Sequence, residues 1–355
     1  MRKLRDLSEI FSNPNHTFVI AEAGSNWKVG SYEDDLKMAK KLIDVAVKAG
    51  VDAVKFQTYR SKTVYVENAG QIDYIHNSSG TNINEIFSKL SMPYEMLPEL
   101  RDYCLKNNVI FMSTPFSVED AIQVDKLVDV HKVASYEINH VRLLEFLSKT
   151  GKPVLISTGA STYNEIDFAV KLMKKNHVKI GLFQCTAKYP ATLDILNLAV
   201  IPQMKLRYNV PVGLSDHSIE PLIGPLVAIG MGATFVEKHF TLDRNLPGPD
   251  HAFALIPNEL EDMVNAIRKA DTTKGNGEKT VLSEEQELYK FATRSIQAIK
   301  NISKGEIFQE GVNIDILRPG NQKRGLAARF LFDVLGKKSS KDIGSGEGIT
   351  KNDFE

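Results

Sequence analysis

Through the first three quarters of this chain, polar residues with usable chemistry recur at the ends of short apolar runs. They are Glu22, Lys55 with Gln57, Ser113 with Thr114, Lys132 with Ser135 and Glu137, Ser157 with Thr158, Thr186, Ser215 with His217, and Glu237 with His239. Two imidazoles at one depth, His217 and His239, suit a divalent metal with positions left open for water or a ligand, although plain hydrogen-bonded histidines share that spacing. Lys55 and Lys132 fall where a folded interior is normally apolar, and a buried ammonium needs an anion beside it. The phosphate and carboxylate of a small acid such as a phosphorylated enol would meet that need, with the hydroxyls of Thr114, Ser135, Ser157 and Ser215 donating to the same oxygens. Ion pairs with Glu22, Glu137 or Glu237 would meet it too. A strand lysine can also form a Schiff base with a carbonyl substrate. Glu22 has no basic neighbour in sequence and reads either as an acid/base that orients a hydroxyl or as an inert ion-paired carboxylate.

Two turns add candidates. Pro247-Gly248-Pro249-Asp250 is rigid except at its glycine and would hold the Asp250 carboxylate over a site, the alternative being a turn-forming Asp. Arg318-Pro319-Gly320 would hold an arginine in the same way, the alternative being a solvated loop. Cys104 and Cys185 are too few and too widely spaced for a disulfide framework or a metal finger, and Cys185 reads as a small buried residue in preference to a nucleophile.

The elements that must position these groups follow from periodicity. Apolar runs at Phe18–Ala23, Asp52–Thr58, Val109–Pro115, Val130–Ala134, Val154–Thr158, Lys179–Cys185, Val212–Leu214 and Thr234–His239 read as strands. Helical stretches alternate with them at Tyr32–Lys48, from Val118, and at Val141–Lys149, Asn164–Lys175, Leu222–Ile229 and Glu259–Ala270. Doubly wound sheets alternate in this way as well. Eight complete units, no Gly-x-Gly-x-x-Gly turn after the first strand, and polar residues closing almost every strand favour a (β/α)8 TIM barrel, an α/β fold whose site lies at the C-terminal ends of its strands. The long connection Tyr59–Met92, which contains Tyr74, Ile75, Ile86, Phe87 and Leu90, lies on that side and reads as a working loop or lid.

A bare barrel takes roughly 250 residues, and this chain has 355. The barrel is expected over 1–272, a linker rich in Thr, Lys, Gly and Asn over 273–288, and a small, mostly β domain over 289–355, with β-like pieces at Ser295–Ile299 and Asn313–Leu317. Lys plus Arg and Asp plus Glu both number 44, so no bulk field draws the chain to nucleic acid or an anionic membrane. Met1–Ile10 has no apolar core of a leader, and the longest apolar stretch, Leu222–Val236, is broken by Gly224, Pro225, Gly230 and Gly232. A cytoplasmic protein is expected.

The segments Ile20-Ala21-Glu22-Ala23-Gly24, Val54-Lys55-Phe56-Gln57-Thr58, Ser113-Thr114-Pro115-Phe116, Lys132-Val133-Ala134-Ser135-Tyr136-Glu137, Ser157-Thr158-Gly159, Gly213-Leu214-Ser215-Asp216-His217 and Glu237-Lys238-His239-Phe240 resemble, in order, the sialic acid (N-acetylneuraminate) synthase family. The tail with Arg318-Pro319-Gly320 resembles the small antifreeze-like (SAF) domain of those synthases. The resemblance implies condensation of phosphoenolpyruvate with an open-chain N-acyl hexosamine, giving a nine-carbon 2-keto acid and phosphate. It implies a manganese or magnesium ion on His217 and His239. Phosphoenolpyruvate would be held by Lys55, Thr114, Lys132, Ser135, Ser157, Tyr189 and Ser215. Gln57, Glu22, Asp250 and Arg318 would address the sugar, Arg318 coming from the partner chain of a domain-swapped homodimer, and Glu137 would stabilise the developing cation or help activate water. Cys185-Thr186-Ala187-Lys188-Tyr189-Pro190 departs from the family's usual Cys-Thr-Asn, removing an amide that meets the sugar. That form, with Tyr136-Glu137-Ile138-Asn139-His140, is more similar to the spore-coat polysaccharide branch, and Pro-Gly-Pro-Asp favours a sialic or legionaminic type of acceptor over the pseudaminic type. A lysine-dependent keto-acid aldolase and a sugar-phosphate binding protein on an inactive barrel are the rival readings.

Overall fold

The structure, a computed structural model, describes residues 13, 15–71 and 82–354. The expected features at Met1–Ile10 and at Tyr74 and Ile75 lie outside the described residues. Parallel strands β1 (Phe18–Gly24), β2 (Ala53–Thr58), β3 (Ile110–Pro115), β4 (His131–Val133), β5 (Val154–Ser157), β6 (Ile180–Cys185), β7 (Val212–Asp216) and β8 (Phe235–His239) form one sheet. Their order is β3-β2-β1-β8-β7-β6-β5-β4. β3 and β4, at the two ends of that order, lie side by side, so the sheet curls into the expected barrel. Outside it run α1 (Tyr32–Ala49), α2 (Ser61–Val64), α3 (Ile83–Leu90), α4 (Met96–Lys106), α5 (Val118–Asp125), α6 (Val141–Leu147), α7 (Tyr163–Lys175), α8 (Val200–Tyr208), α9 (Ile223–Gly230) and α10 (Pro257–Thr273). Among the described residues no helix is long and apolar enough to cross a membrane.

The barrel interior is built by a period of two. Phe18, Ile20, Ala53, Ile110, Met112, Val130, Leu155, Phe183 and Phe235 pack as one buried apolar plug. Side chains alternate along a strand, so the residue two places further on shares the same inward face. Those residues are Glu22, Lys55, Thr114, Lys132, Ser157, Cys185 and Glu237. On β7 the plug position is Gly213, where a Cβ would lie 2.5 Å from the Phe235 backbone oxygen and Cβ alike; glycine there lets Phe235 fill the barrel, and Ser215 follows two places on. The outward faces bury Val19, Val54, Phe111, Ile156 and Leu182 against the helices.

Three expectations need correction. The fourth strand is shorter than Val130–Ala134, because at Ser135–Glu137 the chain turns into a single 3₁₀ turn that brings Glu137 to the barrel mouth. The connection after β2 is not an open loop where it is described, but carries α2 and α3. Helices α4 and α8 were not expected. Each has a proline in its first turn, Pro98 and Pro202, where the missing N–H costs nothing but the helical periodicity is interrupted.

The described contacts divide the chain into two compact units, Met1–Gly275 and Asn276–Glu355. In the second, β9 (Ser295–Ala298) and β10 (Ile314–Leu317) pair antiparallel over a core containing Ile296, Phe308, Ile314, Val334 and Ile349. Short helices α11 (Gln286–Ala292) and α12 (Leu331–Val334) complete it, so part of the segment expected as linker is helical.

Candidate active site

Most of the barrel residues singled out from the sequence line a single cavity of about 730 Å³ at the C-terminal ends of the strands, whereas the hydroxyls of Ser113, Thr158 and Thr186 bond to Thr58 Oγ1 and to the Phe183 and Ile195 carbonyl oxygens instead. Glu22, Lys55, Gln57, Thr114, Lys132, Ser135, Glu137, Ser157, Tyr189, Ser215, His217, His239 and Asp250 all meet there. Arg318 stands in the second unit, exposed just after β10.

The floor is a buried network of charges. Lys55 Nζ lies 2.6 Å from Glu22 Oε2 and 3.7 Å from Glu237 Oε1, and donates to Thr114 Oγ1 at 3.0 Å. Lys132 Nζ lies 3.4 Å from the same Glu237 Oε1 and donates to Ser157 Oγ at 2.7 Å. Gln57 Nε2 donates to Glu22 Oε1 at 2.8 Å. Both ammonium groups therefore already have anions, Glu22 and Glu237 but not Glu137. Of the two balances open from the sequence, ion pairing is present in the protein itself, and Glu237 is the carboxylate both lysines share.

This balance leaves the groups differently tuned. Burial pushes Glu22 up to about 7 despite Lys55 and Gln57. Burial alone pushes Glu137 up to about 7. Burial would raise Glu237, but Lys132 and Lys55 outweigh it and hold it below the ordinary carboxylate value. Lys132 is lowered, burial prevailing over Glu237; in Lys55 the two carboxylates prevail over burial and raise it. Two carboxyls close to neutrality beside one held ionised is an arrangement suited to proton transfer at neutral pH.

His217 and His239 approach with ring centroids 5.7 Å apart. His217 Nδ1 meets the Thr186 carbonyl oxygen at 2.9 Å, so a proton there leaves Nε2 with its lone pair. Burial lowers His239 to about 3, and its Nδ1 is buried without a hydrogen-bond partner. A neutral imidazole with an unused lone pair is what a divalent cation requires; His239 offers one, while burial would lower His217 but Cys185 and the Thr186 carbonyl raise it, so the pair fits a metal once His217 gives up its second proton. Tyr189 stacks on His217 at 4.2 Å and packs at 5.4 Å from Phe253. Asp250 Oδ2 accepts from Ser25 N at 2.9 Å and Ser25 Oγ at 2.8 Å. Gly24, at φ +52°, makes room: a Cβ there would stand 2.5 Å from Asp250 Oδ2 and 3.2 Å from His239 Nδ1.

Besides Glu22 Oε2, which Lys55 meets as an ion pair, three buried polar atoms of this cavity, Glu137 Oε2, Glu237 Oε2 and His239 Nδ1, have no hydrogen-bond partner. Buried polar atoms are ordinarily satisfied, and three unsatisfied in one cavity mark a binding site for a polar ligand. Ser135 has a partly structural use, since its Oγ accepts from Gly159 N at 2.9 Å. Cys185 is buried as expected, yet it borders the cavity, with Sγ 3.8 Å from His217 Nδ1.

Residues 42–279 match the NeuB family and residues 293–355 the SAF domain. The chain belongs to the NeuB family. It is 38% identical to the spore coat polysaccharide biosynthesis protein SpsE of Bacillus subtilis, over 95% of this chain and 93% of that protein. It is 35% identical to N,N'-diacetyllegionaminic acid synthase of Campylobacter jejuni, over 94% and 98%. The crystal structure of Bacillus subtilis SpsE superposes with a TM-score of 0.63 at 36% identity, over 96% of this chain and 95% of that one. These NeuB relatives include synthases, and the chain is an enzyme. Beyond the expected residues, the site holds Ser25, Tyr59 and Phe253. Glu237, expected with His239 at the end of the eighth strand, lines the cavity with it. Tyr59 and Phe253 lie outside strand periodicity, and no sequence signal marked them.

Proposed function

We propose that this enzyme condenses phosphoenolpyruvate with an open-chain N-acyl hexosamine, N-acetylmannosamine or a 2,4-diacetamido-6-deoxy relative, to give a nonulosonic acid and phosphate. The observation that carries the reading is the Lys55–Glu237–Lys132 cluster at the base of a cavity with three unsatisfied polar atoms. Family membership and the names of the synthase relatives support it, and they do not favour a lysine-dependent aldolase. Lys55, raised by its carboxylates, also stays protonated and is a poor amine nucleophile.

The enol carboxylate and phosphate bind against Lys55 and Lys132, with Thr114, Ser135, Ser157, Ser215 and Tyr189 around them. Two anionic groups arriving beside Glu22 and Glu237 favour proton uptake by Glu22, whose carboxyl is already close to neutrality. Gln57, Glu22 and Asp250 orient the acceptor aldehyde and its hydroxyls. Carbon 3 of the enol attacks the aldehyde carbon, and the alkoxide takes the proton held on Glu22. The cation developing at carbon 2 is captured by water, whose proton passes to Glu137. The tetrahedral adduct then loses phosphate to give the 2-keto acid. A manganese or magnesium ion held by His217 and His239 would supply Lewis-acid polarisation of the aldehyde oxygen, worth several kcal/mol. In a domain-swapped homodimer, Arg318 of the other chain would reach the sugar.

Incubating the protein with phosphoenolpyruvate, manganese and each acceptor while following phosphate tests the reading. Acceptor-dependent release that EDTA abolishes is expected. No phosphate release, together with borohydride trapping of pyruvate or the keto acid on a lysine in the presence of EDTA, would replace it with the aldolase.

A further inference from the structure

His217 and His239 face the cavity, and each follows directly on a charged residue. Side chains alternate along a strand, so Asp216 on β7 and Lys238 on β8 face outward. Their neighbours on that outer face, Leu214, Val236 and Phe240, are buried apolar residues packed against the helices. A charged pair therefore interrupts an apolar layer, with 1% of the Lys238 side chain and 0% of the Asp216 side chain exposed.

The two residues are cross-strand partners in the parallel register. Lys238 Nζ lies 2.6 Å from Asp216 Oδ2, and it donates to the Ser218 carbonyl oxygen at 2.8 Å and to Ser218 Oγ at 3.2 Å. Asp216 Oδ1 accepts from Ser218 N at 2.8 Å. The ammonium beside His239 thus grips the chain on both sides of His217, and a shift of one imidazole relative to the other strains that grip. Gly224, in the first turn of α9, leaves room for it: a Cβ there would stand 2.8 Å from Asp216 Oδ2. Apolar residues of similar volume often hold a fold as well as a buried ion pair does, so stability gives little reason for the charges. We infer that Lys238 and Asp216 are positioning residues, which fix the spacing of His217 and His239 so that both imidazoles are presented to one divalent cation. This rests on the metal reading of the two histidines and deepens it.

The test titrates manganese into the metal-free full chain without substrates and reads the free ion by electron paramagnetic resonance. Wild type should bind the ion, and His239→Ala should lose it. Asp216→Asn combined with Lys238→Met removes both charges together, so that no ion is left unpaired, and retains an acceptor for Ser218 N. Gly224→Ala keeps both charges and displaces only the carboxylate, at a position where alanine suits the helix better than glycine. The double variant is expected to melt near the wild-type temperature and to bind manganese about ten- to hundredfold more weakly, as when outer partners of metal ligands are lost. Gly224→Ala should move the affinity the same way by a smaller factor. Phosphoenolpyruvate binding in EDTA, read by calorimetry, should be nearly unchanged in both. Wild-type manganese affinity in the folded variants, or in Gly224→Ala alone where the double variant does not fold, overturns the inference and leaves the metal reading standing. An equal loss of phosphoenolpyruvate affinity also overturns it, because the pair would then hold the whole barrel mouth. No manganese on the wild type, or manganese that His239→Ala retains, removes the metal reading and the inference with it.

Discussion

Glu137 is the residue whose titration has the plainest cause, because burial alone moves it from 4.5 to about 7. The folded chain keeps this proton up to about pH 7, while the unfolded chain releases it near 4.5. Stability from this group is therefore greatest below 4.5, falls as pH rises between the two values, and above 7 the full cost of a buried carboxylate remains. A shift of that size corresponds to about 3 kcal/mol. Glu137→Gln should accordingly stabilise the protein at pH 8 by up to about 3 kcal/mol in urea denaturation and change little at pH 4. Were Glu137 to take the proton of the attacking water, the same variant would lose about 10² to 10⁴ in kcat and the rising limb of its pH profile near 7. Stabilisation at pH 8 without loss of rate would make Glu137 a bystander. Most of the site was legible at this scale because strand alternation is strict: a polar residue two places beyond an apolar plug residue must face the cavity. What was not legible was which anion balances Lys55 and Lys132. Pairing across strands is set by register, which places Glu22 beside Lys55, and only the closed barrel brings Glu237 on β8 within ion-pair distance of Lys132 on β4.

At the scale of elements, the eight strands announced themselves by apolar runs, and the ends of several helices by glycines and polar caps. Helices α4 and α8 did not, since Pro98 and Pro202 interrupt the pattern within the first turn. The stretch after β2 did not either, because its helices are short and its apolar residues face a cavity and not a continuous core. The turn after β1 illustrates how tightly a connection can be tied to chemistry. Gly24 adopts a positive φ, and its missing side chain is the space in which Asp250 accepts from Ser25 beside His239. Gly24→Ala adds backbone strain of roughly 1–2 kcal/mol and forces the Asp250 carboxylate away. The expected outcome is a folded protein with a raised KM for the acceptor and at least about a tenfold loss in kcat/KM, with the KM for phosphoenolpyruvate nearly unchanged. A variant equally impaired toward both substrates would show that Gly24 shapes the whole barrel mouth and not the acceptor side.

For the whole molecule, the question is why a barrel with its own cavity is followed by a second compact unit. Asn276–Glu355 has its own core, so it is not needed to complete the barrel interior. The residue singled out in it from the sequence is Arg318, exposed just after β10 and followed by the rigid Pro319. If the second unit of one chain serves the barrel of another, neither site of a homodimer is complete without its partner, and this can be read by complementation. Arg318→Ala and His239→Ala chains, each inactive alone, are unfolded together, refolded and assayed. In a heterodimer, the barrel with an intact His239 belongs to the Arg318→Ala chain and receives Arg318 from the other. Random pairing makes half the dimers mixed with one working site each, so about one quarter of wild-type activity should return. Were Arg318 to act on its own barrel, no chain in the mixture would hold both residues and nothing would return. Recovery that rises with the fraction of mixed dimers, measured by mass-tagging one variant, ties the second unit to catalysis; its absence confines Arg318 to its own chain.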